Sequence, residues 1–330
     1  MKENFKKKKE ENELIKRFED HVKNKRSHFF ELDSFEQIID HYIEEGKFKK
    51  ALSAVNLASN QYPFSAELLI SKAQILSNLE RYDQALDLLH QAESIQPSDA
   101  EIHFLKGSIF SLLGQYEDAI RSYNGALIHT EDKDEAFYSL GLALQSLERY
   151  SEAIDSYKKA IEENIYHEGA LYELAYCLDY TGQLDSSIDY YHKFIDADPY
   201  SQAAWYNLGI VYGKLEKYKE ALKAYEYAIL IEENFSSAYF NIGNTHLKLN
   251  NYSEAIDAYV KTLDIEGPSP EVYCQLGCAY EKTENFDLGL KYFQKAAKLD
   301  QMYDEAWFGA GRCLDLQEKW YQALHFYNKA

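Results

Sequence analysis

Apolar residues recur along this chain at spacings of three and four, in runs of about a dozen residues separated by short polar breaks. Such spacing gathers apolar side chains on one face of an α-helix. In residues 202–235, Trp205, Leu208 and Tyr212 mark one stripe, and Tyr218, Ala221, Leu222, Tyr225 and Ala228 mark a second. The pair of stripes then returns. RYDQAL from Arg81, QYEDAI from Gln115, RYSEAI from Arg149, KYKEAL from Lys217 and NYSEAI from Asn251 start 34 residues apart, or 68 where QLDSSI from Gln183 keeps the register in degraded form. KFKKAL from Lys47, NFDLGL from Asn285 and KWYQAL from Lys319 extend the phase in both directions. A fixed period of this length is the signature of stacked helix pairs.

Setting the alanine of these segments at position 20, repeats begin at Leu32, Ala66, Ala100, Asp134, Glu168, Gln202, Ser236, Pro270 and Asp304, the ninth cut short at Ala330. Position 20 is small in every unit. Position 8 is Gly107, Gly141, Gly209, Gly243, Gly277 and Gly311, with Ala73 and Ala175 in two others and Ile39 as the bulky exception. Small residues at these places let two helices approach closely, and aromatics at positions 4, 11, 17 and 24 fill the space around them. All five prolines fall at unit junctions, where a helix must stop. Residues 32–330 thus read as one array. Residues 1–31 read as a charged tail, in which Leu14, Ile15, Phe18 and Val22 predict a helix over residues 11–25 that covers the first repeat.

The pattern resembles the tetratricopeptide repeat (TPR) family. Its Trp-x2-Leu-Gly-x2-Tyr and Ala-x3-Tyr signature stands in Trp205, Leu208, Gly209, Tyr212, Ala221, Tyr225 and Ala228, with Glu233 in place of the terminal proline. The resemblance implies an all-α, right-handed superhelical solenoid of antiparallel helix pairs. Its concave groove would be lined mainly by the first helix of each unit. The fifth unit departs from the pattern at Leu184, Ser187 and Phe194, which predicts a local change in curvature.

Charge narrows the functional classes. The net charge is −20. Residues 1–31 carry ten Lys/Arg against seven Asp/Glu, so the array is more acidic than the whole. Such a field repels phosphate backbones and excludes general nucleic-acid binding. No apolar run approaches the ~18 residues of a membrane span, and the four cysteines form no disulfide framework. Together these predict a cytoplasmic protein. The Lys6–Lys9 run reads as a solvated tail or as a nuclear or anionic-surface address. Cys274 and Cys278 lie four apart on one helix face, where two thiolates can share a metal. Without further ligands nearby in sequence, they read as small apolar residues. No metal, cofactor or catalytic residue is expected.

The groove offers more. Position 5 reads Phe104, Tyr138, Tyr172, Tyr206 and Phe240 across the third to seventh units, and Tyr172, Tyr176 and Tyr180 follow at i, i+4 and i+8. Tyrosine buries a large ring while keeping a hydroxyl for hydrogen bonding. Tyr138, Tyr172, Tyr176, Tyr180 and Tyr206 therefore form a candidate contact patch, the competing use of such rings being packing between repeats. Asn207 and Asn241 at position 6 and Asn244 at position 9 offer a row of amides for a peptide backbone. Lys214, Lys248 and Lys282 at position 13, with Arg312, form a basic row that would attract an acidic segment, or a set of solvated helix ends. The dicarboxylate clamp of chaperone-binding TPR domains is not matched, because the corresponding places hold Glu36, Asp40, Glu67, Ser71 and Glu101.

These features predict a non-catalytic interaction scaffold holding an extended peptide or a helix of a protein partner in the groove. Two alternatives stand beside it. One is an oligomerisation module stacking through its uncapped last repeat, with Trp307, Phe308, Trp320 and Tyr321 as its surface. The other is the targeting region of a larger enzyme continuing beyond Ala330.

Overall fold

The computed structural model describes residues 13–23 and 29–330; the Lys6–Lys9 run and residues 11, 12, 24 and 25 of the expected capping helix lie outside them. Every regular element among the described residues is helical. None is long and apolar enough to cross a membrane. The chain divides into two compact units between Glu163 and Asn164.

The first unit opens with α1 (13–23). Ile15 and Phe18 are buried in one cluster with Phe30, Phe35 and Tyr42, while Val22 is exposed. Glu19 of α1 accepts from the Tyr42 hydroxyl at 3.2 Å and from Lys50 at 2.6 Å, so the helix is tied to the first repeat by polar as well as apolar contacts. Helix pairs follow: α2 (Leu32–Glu44) with α3 (Phe48–Gln61), α4 (Ala66–Asn78) with α5 (Tyr82–Ile95), α6 (Ala100–Leu112) with α7 (Tyr116–His129), and α8 (Asp134–Ser146) with α9 (Tyr150–Glu163).

The second unit continues with α10 (Glu168–Tyr180) and, after a 3-10 turn at Leu184–Ser186, α11 (Ser187–Ala197). Then come α12 (Gln202–Lys214) with α13 (Tyr218–Ile231), α14 (Ser236–Lys248) with α15 (Tyr252–Glu266), α16 (Pro270–Lys282) with α17 (Phe286–Leu299), and α18 (Asp304–Leu316) with α19 (Trp320–Tyr327).

Two devices repeat within each unit. The first is a fit between positions 8 and 24. A methyl group added to Gly209 would sit 2.5 Å from the Tyr225 ring, and the glycines at position 8 of the third, fourth and seventh to ninth repeats meet their own ring as closely. In the first two repeats position 8 is larger and position 24 smaller, whereas the fifth keeps Tyr191 beside Ala175. Ala73 accompanies Leu89, and Ile39 accompanies Val55, all four buried. Ala73 with Leu89 fills about the space of a glycine with a tyrosine, whereas Ile39 with Val55 fills more. The second device is the turn between paired helices. Position 15 adopts a left-handed backbone throughout, at Gly46, Gly114 and Gly182 but also at Glu80, Glu148, Glu216, Asn250, Glu284 and Glu318. In the sixth repeat the Lys217 amide then donates to the Tyr212 carbonyl at 2.9 Å, closing the helix end in the manner of a Schellman motif.

Candidate functional site

The tyrosines expected on the groove divide by environment. On α10, Leu171, Leu174, Ala175 and Leu178 face the core. Tyr172, Tyr176 and Tyr180 keep 52%, 49% and 63% of their surface exposed. The i, i+4, i+8 spacing therefore leaves three rings along one uncovered side of the helix. Tyr206, one repeat on, is half-buried. Its ring lies 4.7 Å from that of Phe235 and 5.9 Å from that of Tyr225, and its hydroxyl accepts from Asn241 Nδ2 at 3.0 Å. Burial raises its pKa. This ring packs between repeats. Tyr138, in the first unit, is half-buried with its ring 6.1 Å from that of Tyr157.

A readable signal separates Tyr172 from Tyr206. Phe235, which covers Tyr206, occupies position 34 of its repeat, and the same position after Tyr172 is Ser201. Serine is too small to cover a phenol ring. The cover of Tyr206 thus comes from position 34, which reading position 5 alone misses, whereas Phe240, followed by Ser269, is half-buried through other contacts.

The amides and cations converge farther along. Lys214, Lys248, Asn241 and Asn244 line one pocket of about 490 Å³ between α12 and α14. Asn244 is partly engaged, its Oδ1 accepting from the buried Tyr259 hydroxyl at 2.7 Å. Asn207 is half-buried and does not line this pocket. The Lys214 ammonium pairs with Asp179 of α10, joining the fifth and sixth repeats. Lys282 is exposed. Arg312 is held by Glu281, Nε to Oε2 at 2.6 Å. The expected basic row is therefore two pocket lysines, of which Lys214 is paired, followed by an exposed lysine and a paired arginine.

The acidic positions of the first repeats behave differently. Burial, then the carboxylates of Asp33, Glu67 and Asp40, push the Glu36 pKa up, and burial does the same to Glu101. Carboxylates already disfavoured in their charged form repel a further anion. Among the described residues, no group of three or more His, Cys, Asp or Glu is placed to hold a metal ion.

No curated protein matches the sequence. Among solved structures, the C-terminal part of a TPR repeat-containing protein from Cytophaga hutchinsonii aligns with a TM-score of 0.61 at 16% identity, over 73% of this chain and 98% of that one. That likeness shows the fold. MamA aligns at 26% identity with a TM-score of 0.45, over 49% of this chain and 95% of its own. YrrB, a TPR protein with an unusual peptide-binding site, aligns at 26% identity with a TM-score of 0.44, over 56% of this chain and 95% of its own. Models of the tetratricopeptide repeat match residues 70–136, 134–164, 169–200, 203–235, 236–266 and 270–301. These matches span more than half of the sequence, and with the paired helices they establish that the chain belongs to the tetratricopeptide repeat family.

Proposed function

We propose that this protein is a non-catalytic scaffold that captures an extended segment of a partner protein along the fifth to seventh repeats. The observation that carries the reading is the row of Tyr172, Tyr176 and Tyr180, three large rings left about half exposed on a helix whose other side is buried. Exposed rings at helical spacing offer apolar area at low cost in side-chain entropy, and their hydroxyls suit the polar backbone of an extended peptide. The pocket of Asn241, Asn244, Lys214 and Lys248, with Glu216 also in its wall, supplies amide contacts, and Lys248 supplies positive charge beside the paired Lys214 for an acidic residue of the ligand.

The test is selection of peptides on the 1–330 chain from a displayed library, followed by titration of the winners against Tyr172→Ala/Tyr176→Ala/Tyr180→Ala. The triple variant is expected to keep its helicity and melting temperature, because the rings are exposed, and to weaken peptide binding at least tenfold. Unchanged affinity in a folded triple variant would refute the reading.

A second reading rests on α19, where Trp320, Tyr321 and Leu324 are exposed together. Such a face favours self-association. Light scattering over a concentration series separates the two readings, since a monomer at every concentration leaves only peptide capture.

A further inference from the structure

The third repeat borders a cavity whose charge is opposite to that of the lysine pocket. It measures about 430 Å³ and lies where α6, the end of α7 and the start of α8 meet, inside the first compact unit. Ala100, Phe104, Ala126 and Ala136 supply its apolar wall, and Asp99, Glu101, Asp132 and Glu135 bring carboxylates. Among the described residues, no cationic side chain lines it. Asp99 is partly engaged, its Oδ1 accepting from the Glu101 amide at 2.8 Å. Partial burial, and next the Asp99 carboxylate, raise the Glu101 pKa. Positive charge entering here therefore relieves a repulsion already present.

The sixth repeat shows what such a space accepts. There the Phe235 ring, at position 34, closes on Tyr206, at position 5, with 4.7 Å between centroids. In the third repeat the same two positions hold Lys133 and Phe104, and Lys133 does not line the cavity. A place that one repeat fills with a flat ring of its own is thus left open in another, beside a half-buried phenyl. Carboxylates alone attract any cation, and the ring narrows the choice. A guanidinium is flat and permanently charged, stacks on aromatic faces and donates paired hydrogen bonds to carboxylates. An ammonium offers a point charge without a face.

We propose that this cavity is a socket for an arginine side chain of a partner protein, stacked on Phe104 and paired with Glu101 and Glu135. The socket stands apart from peptide capture on α10, sharing neither its residues nor the sign of its charge.

The test titrates the peptide acetyl-Gly-Arg-Gly-amide at low salt into the 1–330 chain, with its alanine methyls labelled for nuclear magnetic resonance. Ala100, Ala126 and Ala136 place three methyl groups in the wall, so their shifts report this cavity rather than the acidic surface at large. These three are expected to move saturably. The same peptide with citrulline, which keeps the shape and removes the charge, is expected to bind about fivefold more weakly or worse. Glu101→Gln/Glu135→Gln is expected to weaken the arginine peptide as much, whereas Glu36→Gln/Glu67→Gln, outside the cavity, should leave the titration unchanged. Equal affinity for citrulline on the parent chain would overturn the proposal, whether or not any variant folds. So would unmoved cavity methyls while alanines elsewhere respond. Binding that appears only in Lys133→Ala would overturn it too, by giving the cavity to the chain's own lysine.

Discussion

The fifth and sixth repeats follow one plan and differ where the paired helices meet. In the sixth, Gly209 receives the face of Tyr225, Ala221 and Ala228 are small, and α13 runs unbroken for 14 residues. In the fifth, Ala175 stands at the glycine position while Tyr191 remains the ring, Phe194 replaces the second alanine, and both aromatics are buried. The methyl and the phenyl add volume at positions 8 and 27, while Leu171 and Leu184 stand where the sixth repeat has Trp205 and Tyr218. The second helix responds: its first turn is 3-10 at Leu184–Ser186, and α11 has 11 residues. Ser187 stabilises that tighter turn, its hydroxyl donating to the Leu184 carbonyl at 2.7 Å. The contrast teaches that the repeat departing at positions 8, 17, 20 and 27 together is the one whose second helix begins differently. The repeat in which the fit is relaxed is also the one carrying the open tyrosine row.

The sharpest way to break this comparison is to exchange the small residues. Gly209→Ala ordinarily adds about 1 kcal/mol of stability through helix propensity. Here the methyl would press on Tyr225 at 2.5 Å, so we expect a net loss of about 1–3 kcal/mol, read from the denaturant midpoint. Ala175→Gly is expected to lose only about 1 kcal/mol of propensity, with amide exchange at residues 184–187 slowing as Tyr191 settles into the vacated space. A stabilised Gly209→Ala chain would mean that the ring does not set the spacing.

The turns sharpen the comparison at lower amplitude. Gly182 and Glu216 occupy the same left-handed position, at φ 71° and 58°. A side chain there is strained, whereas glycine is not. Glu216→Gly should therefore gain about 0.5–1 kcal/mol in the sixth repeat, and Gly182→Ala should lose about 1 kcal/mol in the fifth. Opposite signs from the two thermal melts are the expected result.

The helices were legible in the sequence because a period of 34 residues shows itself nine times over, and a helix pair that must bury its face against the next cannot drift out of phase. The position-15 backbone was legible in principle, since Gly46, Gly114 and Gly182 share that register, but five glutamates and an asparagine mask it. The site was legible only in part. Tyr172, Tyr176 and Tyr180 are placed by spacing alone. The environment of Tyr206 depends on Phe235 and Asn241, and that of Asn244 on the Tyr259 hydroxyl, all of them contacts between helices. A helical stripe says which side a residue is on and leaves open what the neighbouring helix brings to meet it.

The smallest effect on stability belongs to the ion pair joining the two repeats. Lys214 and Asp179 are both partly exposed, and such pairs contribute about 0.2–1 kcal/mol at most after screening and side-chain ordering. Lys214→Ala/Lys248→Ala should accordingly shift the denaturant midpoint by less than about 0.5 kcal/mol. Its effect should fall on binding instead. With the pocket lysines gone, an acidic peptide selected on the parent chain should bind more weakly at low salt and lose most of its salt dependence, because screening acts on charges the variant no longer has. The exposed rings of Tyr172, Tyr176 and Tyr180 carry no charge, so their share of the affinity should persist at high salt in parent and variant alike. Titration at two ionic strengths therefore separates the two halves of the proposed groove. Equal salt dependence in both proteins would place the electrostatic contact elsewhere and leave the tyrosine row to stand alone.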